Sequence, residues 1–206
     1  MSIQYKKASF LLSAADVKQL PPDQGVEVAI VGRSNAGKSS VLNCITQNKK
    51  LARVSKTPGR TQQINVFVLD DNRRLMDLPG YGFANAPVHA QRKWEDTINS
   101  YFSSRTCLRG LILVMDIRHP FKDLDMQMLD FCQHHHLLVH ILLNKADKLS
   151  KSAAKTVLFD AEPILAVYGD SVTIQTFSAM KNTGVKELHQ VLNTWYEYTP
   201  QNDADA

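Results

Sequence analysis

The sequence predicts an α/β fold: a mostly parallel, six-stranded sheet with one antiparallel edge strand and helices on both faces. Three observations carry this. Apolar strand-like runs alternate with segments of helical period, the pattern of a sheet whose crossovers are helices. Two of the runs, Leu111–Ile117 and Leu137–Leu143, are nearly continuous in apolar residues, as strands buried on both faces are. An early stretch, Gln62–Asp77, instead reads as a hairpin and so supplies the antiparallel strand.

Taken in order, residues 1–25 are a lead-in expected to pack on the domain through Phe10-Leu11-Leu12, Val17 and Leu20, closed by the loop Pro21–Gly25. Val26–Val31 is the first strand. Lys38–Thr46 follows as a helix, because Val41, Leu42 and Ile45 fall on one face. Asn48–Thr61 is a polar, basic loop that Thr57-Pro58-Gly59 keeps from regular structure. In the hairpin, Ile64, Val66 and Val68 alternate with their neighbours, Asp70–Arg73 supplies the turn, and the second strand ends at Asp77. Tyr81–Ala90 is punctuated by glycine and proline, and Gln91–Ser104 resumes a helical period through Trp94, Ile98, Tyr101 and Phe102. The remaining expectations are a helix over Leu124–Gln133, a helix over Ser150–Tyr168 bent or divided at Pro163, a strand over Val172–Phe177 and a closing amphipathic helix over Val185–Tyr198. One domain over 26–199 and a polar, disordered tail over 200–206 complete the expected organisation.

With 206 residues, 44% hydrophobic and 21% charged, the chain is long enough for one substantial core. Cys44, Cys107 and Cys132 form no close pair, which fits a reducing compartment. No apolar run is long enough to span a bilayer, and neither a signal peptide nor a prenylation motif is evident, so the expectation is a cytoplasmic protein away from the membrane. The net charge of +4 is unevenly placed. Seven basic and no acidic residues lie between Arg33 and Leu69, which leaves 17 of the 24 basic side chains against all 20 acidic ones elsewhere. That segment is either a field for a polyanion such as RNA or an ordinary solvated face.

Gly32-Arg33-Ser34-Asn35-Ala36-Gly37-Lys38-Ser39, followed by Ser40, matches the phosphate-binding loop G-x-x-x-x-G-K-[ST] between a strand and a helix. Its glycines let backbone N–H groups turn toward a phosphate, Lys38 adds a point charge, and the Ser39 hydroxyl suits Mg²⁺. Asp77-Leu78-Pro79-Gly80 places a carboxylate for the Mg²⁺ shell, through water, and a glycine amide for a terminal phosphate. Asn144-Lys145-Ala146-Asp147 specifies the base: a carboxylate accepts from both N1–H and the exocyclic amine of guanine, the lysine stem covers the base, and Asn144 braces the phosphate loop. Phe177-Ser178-Ala179, at the end of the last strand, offers backbone amides to guanine O6.

These four motifs in this order resemble the P-loop GTPases of the translation-factor-related class, with a Ras-like G domain. Together with Thr57-Pro58-Gly59-Arg60-Thr61-Gln62 and Asp77-Leu78-Pro79-Gly80-Tyr81-Gly82-Phe83-Ala84, they are similar to the EngB family of bacterial ribosome-biogenesis GTP-binding proteins. The resemblance implies GTP and GDP as ligands, Mg²⁺ as cofactor, and a switch role in assembling the large ribosomal subunit, with its rRNA and ribosomal proteins as partners. It also implies a need in cell growth or division. A signalling G domain acting on a protein partner is the alternative, and a monomer is the default state. Gly59 joins the nucleotide-contacting set, and Thr61 is the threonine expected to close over Mg²⁺ and the terminal phosphate, with Thr57 its rival. Where Ras-type GTPases carry a water-orienting glutamine, this chain has Tyr81, so slow hydrolysis is expected. Asn35 is the position at which related GTPases hold K⁺ beside the phosphates, so catalysis is assigned to Lys38, Thr61 and Asn35. Arg60 is the candidate finger in cis, although a rim arginine more often meets RNA or solvent. His134-His135-His136 cannot all face one metal ion and is read as the end of a helix.

Overall fold

The computed structural model describes residues 3–52, 63–82 and 88–197. Seven strands form one sheet: β1 (Ser9–Ala14), β2 (Val26–Gly32), β3 (Ile64–Val68), β4 (Arg73–Asp77), β5 (Leu108–Asp116), β6 (Leu138–Asn144) and β7 (Val172–Thr176). Their order across the sheet is β1-β3-β4-β2-β5-β6-β7. All neighbours pair in parallel except β3, which runs against both β4 and β1. The class is the expected one, and the strand count is seven because the lead-in contributes β1. Phe10-Leu11-Leu12 forms an edge strand on β3, with its register interrupted between Phe10 and Leu12; Leu12 packs against the core, whereas Phe10 and Leu11 stay 53% and 50% exposed, because an edge strand covers only one of its faces. A single short lead-in strand has no alternation strong enough to declare itself, since its partner is remote in sequence.

The helices are α1 (Lys38–Ile45), α2 (Val88–Ser104), α3 (Asp123–His134), α4 (Lys151–Leu165) and α5 (Val185–Glu197). Pro163 does not divide α4; the helix continues to Leu165 and tightens into a 3-10 turn over Ala166–Ser171. One face of the sheet, with Val31, Leu111, Leu113 and Leu143, packs against Ile98, Leu129 and Leu165 of α2, α3 and α4. The other face, with Ile30, Ile112 and Leu142, meets Leu42 of α1 and Leu192 and Trp195 of α5. Gly110 is required here: a Cβ on it would sit 2.8 Å from the ring of Trp195.

At the amino end of the parallel strands the buried Glu27 carboxylate binds Arg105 twice (2.5 and 3.2 Å) and accepts from Tyr101 Oη (3.0 Å). Arg105 and Arg74 donate onward to the carbonyls of Pro21 and Pro22, and Asp23 accepts from the amides of Thr106 and Cys107. The Pro21–Gly25 loop is thus tied down by a charged cluster at the end of the sheet opposite the sequence motifs. The His135 ring lies against Phe131 at a tilt of 60° (centroids 4.5 Å apart), and burial, with the charges of His134 and His136, lowers its pKa. The histidine run does end a helix, and the His135 ring packs there against Phe102 and Phe131. Among the described residues, no group of three His, Cys, Asp or Glu is placed to hold a metal, and no helix is long and apolar enough to cross a membrane.

Candidate nucleotide site

The carboxyl ends of β2, β4, β5, β6 and β7 lie side by side, and the loops that leave them gather the motifs, as expected for ligand sites in open parallel sheets. The phosphate loop is shaped by two left-handed residues, Asn35 (φ +65°) and Gly37 (φ +99°). Asparagine tolerates that region better than most side chains. Gly37 has a second reason: a Cβ there would strike Asn144 Nδ2. After this turn α1 begins, and the amides of Gly37, Lys38, Ser39 and Ser40 have no acceptor among the described residues. Four unsatisfied N–H groups at a helix start, with its dipole behind them, form a cradle for phosphate oxygens.

Lys38 Nζ is ion-paired with Asp77 Oδ1, both side chains nearly buried, and Asn65 Nδ2 donates to Asp77 Oδ2 at 3.1 Å. The cation meant for phosphates and the carboxylate meant for the metal shell therefore neutralise each other here. Ser39 and Asp77 are hard oxygen donors of the kind Mg²⁺ prefers. Gly80 lies against the phosphate loop: a Cβ on it would be 3.0 Å from Gly32 O. Ser34 N donates to Tyr81 O (2.8 Å) and Tyr81 N to Gly32 O (3.3 Å), so the two phosphate-facing loops are zipped together by backbone. The Arg33 side chain runs along Gly82 toward Lys122 and Leu124, beside the cradle rather than into it.

Tyr81 follows Gly80 but does not face the phosphates. It is 4% exposed, its hydroxyl donates to Asp125 Oδ1 at 2.7 Å, and its ring meets Trp94 edge-on. Burial and the Asp125 charge push its phenol far above the ordinary range. Trp94 does more than fill space, since its Nε1 donates to Pro79 O (2.8 Å) and fixes the same loop.

On the base side, Asn144 Nδ2 donates to Ala36 O (2.9 Å), while Asn144 Oδ1 accepts from Ala179 N (3.3 Å). One amide thus joins the phosphate loop, the Asn144–Asp147 loop and the last loop. Lys145, at φ +66°, extends back to the Asn35 carbonyl (2.7 Å) and to Asp116 Oδ2 (2.8 Å). Asp147 Oδ1 accepts from Ser178 Oγ (2.6 Å), the chief cause of its lowered pKa, and so remains an acceptor for paired donors. Phe177, expected among the nucleotide contacts, is fully buried. Its amide donates to Leu143 O and its carbonyl accepts from Ala146 N, so it supports the loops from below.

Sequence reasoning missed two members. Asp116, at the end of β5, receives Lys145 and a paired contact from Arg118 Nε and Nη2 (2.9 and 2.7 Å). Burial alone would raise its pKa, but these donors outweigh it and hold the carboxyl well below its usual range. A charged residue closing an apolar strand was the available signal. Thr57, Gly59, Arg60 and Thr61 lie outside the described residues.

The chain matches the family described as 50S ribosome-binding GTPase over residues 27–145. It is 50% identical over 196 residues to a protein of Coxiella burnetii named "Probable GTP-binding protein EngB", covering 95% of this chain and 96% of that one. A protein of the same name from Tolumonas auensis is 48% identical over 206 residues, covering 99% and 97%. Among solved structures, a probable GTP-binding protein engB aligns with TM-score 0.66 at 22% identity, over 83% of this chain and 98% of that one. Aquifex aeolicus Era bound to GDP and aluminium fluoride aligns with TM-score 0.67 at 19% identity, over 85% and 58%. At those identities the structural likeness concerns the fold.

Proposed function

We propose, for a chain that belongs to the EngB family of GTP-binding proteins and is a GTPase, that its nucleotide cycle serves as a switch in assembly of the large ribosomal subunit, in the cytoplasm and in support of growth and division. The observation that carries the nucleotide half is the Asn144 amide, which ties the phosphate loop to both loops expected around guanine. The ribosomal half is supported by the family and by the acid-free basic segment between Arg33 and Leu69, read as a field for rRNA.

In this reading the amides of Gly37–Ser40 receive the phosphates, and Lys38 exchanges Asp77 for phosphate oxygen when nucleotide enters. The freed Asp77 carboxylate, through water, and the Ser39 hydroxyl are the groups that would hold Mg²⁺. Bound Mg²⁺ neutralises charge on the phosphates. Thr61, rather than Thr57, closes that shell, Gly59 approaches the nucleotide with it, and Gly80 senses the terminal phosphate. Asp147 reads guanine, Lys145 covers it, and Ser178 and Ala179 frame its O6 side. Hydrolysis by the isolated chain is slow, because the residue after Gly80 is a tyrosine held in the core by Asp125 and not a water-orienting glutamine. Acceleration then comes from the ribosomal partner or from K⁺ at Asn35, whose exposed side chain is free to turn to an ion. Residues 26–199 act as one G domain with the lead-in packed on it, working as a monomer.

Co-sedimentation with purified large subunits tests the reading. The full chain should pellet with them far more in a non-hydrolysable GTP analogue than in GDP, and single-turnover hydrolysis should quicken when subunits are added. Absence from the pellet in both nucleotides would overturn the ribosomal assignment and favour the signalling alternative.

A further inference from the structure

Helix α4 carries two apolar faces where its place in the fold requires one. Ala154, Val157, Leu158, Ala161 and Leu165 pack on the core, and the opposite side of such a surface helix should be polar. Instead it presents Phe159, 70% exposed, and Val167, 73% exposed, with Pro163 and Ile164 between them. Phe159, Pro163 and Val167 recur every four residues along α4 and the first turn after it, so they form one row. A lone exposed apolar residue is ordinary, whereas a contiguous row marks association.

The surrounding charge selects the chemistry of what binds. Asp160, Glu162 and Asp170 flank the row, all exposed, and Asp130 of α3 lies at its end, where Tyr168 Oη donates to it (2.6 Å). None of these four carboxylates has an ion pair among the described residues, and Lys155 stands one turn before Phe159. Pro163 adds an acceptor. Lacking an N–H, it leaves the Phe159 carbonyl without its helical donor. Carboxylates and an open carbonyl repel phosphates and attract ammonium and guanidinium groups. The face also sits beside β7, which is the edge strand at the opposite side of the sheet from β1.

We propose that the outer face of α4 docks a basic protein segment that inserts an apolar anchor between Phe159 and Val167. Resting on the ribosomal reading above, this segment belongs to a ribosomal protein and not to rRNA. The chain then meets its particle through two surfaces of opposite character, one for RNA and one for protein.

The test compares wild type with Phe159→Ser/Val167→Ser, both exposed positions, after checking that melting temperature and GTP and GDP affinities are unchanged. Binding is measured to purified large subunits, to the protein fraction extracted from them, and to their naked rRNA. At least tenfold weaker binding to the first two, with rRNA binding unchanged, is the expected result. Asp160→Asn/Glu162→Gln/Asp170→Asn should weaken the same two and flatten their salt dependence. Unaltered subunit binding by the serine variant overturns this inference and leaves the ribosomal reading standing. A loss confined to naked rRNA, or wild-type self-association that the variant abolishes, assigns the face to another occupant and also overturns it. Wild type that binds neither subunits nor their proteins in either nucleotide overturns both readings together.

Discussion

Tyr81→Gln should not make this protein a faster GTPase, although it restores the residue that Ras-type enzymes use to orient water. The reason is where the side chain lies. Tyr81 is in the core, bonded to an Asp125 that is 1% exposed, so a glutamine there inherits a buried position beneath the phosphates. Tyr81→Phe isolates the bond itself. A hydrogen bond to a charged acceptor contributes about 1.5–3 kcal/mol, and for a chain of this size each kcal/mol moves the melting temperature by about 2–4 °C. The expected loss near pH 7.5 is therefore about 3–12 °C. The loss should depend on pH with a defined sign. Burial raises the Asp125 pKa above its ordinary 3.8, opposed by the Tyr81 bond. A raised carboxyl contributes stability that is full below 3.8 and is lost as pH rises through the folded value. Removing the Tyr81 donor raises that value further and widens the loss. As pH falls and the carboxyl takes up its proton, the partner becomes the neutral acid, and the deficit should shrink to about 0.5–1.5 kcal/mol. Thermal melts from pH 4 to 8 and single-turnover GTP hydrolysis provide the readings. A rate gain above tenfold in Tyr81→Gln, or a pH-independent deficit in Tyr81→Phe, would refute the buried placement.

Asp147→Asn should weaken GTP by about 100-fold or more, for two charge-assisted bonds lost, and turn preference toward XTP, whose 2-oxo group accepts from an amide. Fluorescent-nucleotide titration checks it, and a retained GTP preference would remove Asp147 from the base site. Gly37→Ala combines strain at φ +99° with a collision on Asn144 Nδ2, so nucleotide affinity should fall by orders of magnitude while GDP-independent folding persists; unaltered titrations would count against the loop geometry. For Asn35, turnover in KCl should exceed turnover in NaCl at equal ionic strength, and Asn35→Ala should erase the difference; equal rates in all four measurements would end the K⁺ proposal. Glu27→Gln leaves the Arg74 guanidinium without a counter-charge and Arg105 with only its 3.7 Å contact to Asp23, at a cost of about 3–5 kcal/mol. Urea melts should register that cost with GTP affinity unchanged, because the cluster lies at the far end of the sheet.

Alternation of strands and helices, the hairpin before Asp77 and the position of each motif after a strand were legible in the chain itself. Those features are local: a period of two or 3.6, a turn residue, or a fixed spacing between glycine and lysine records its own geometry. The lead-in strand was not legible, because β1 exists only by pairing with β3 fifty or more residues away. Nor was the burial of Tyr81, since a tyrosine after Asp77-Leu78-Pro79-Gly80 reads equally as a site residue until α3 brings Asp125 against it. Asp116 and Arg118 likewise gain their place at Lys145 only when β5 and β6 lie side by side. By itself the sequence determined which chemistry the loops carry and in what order. Tertiary structure decided which of those side chains turn toward the shared loops and which into the core, because direction depends on partners from distant elements whose approach no local pattern encodes.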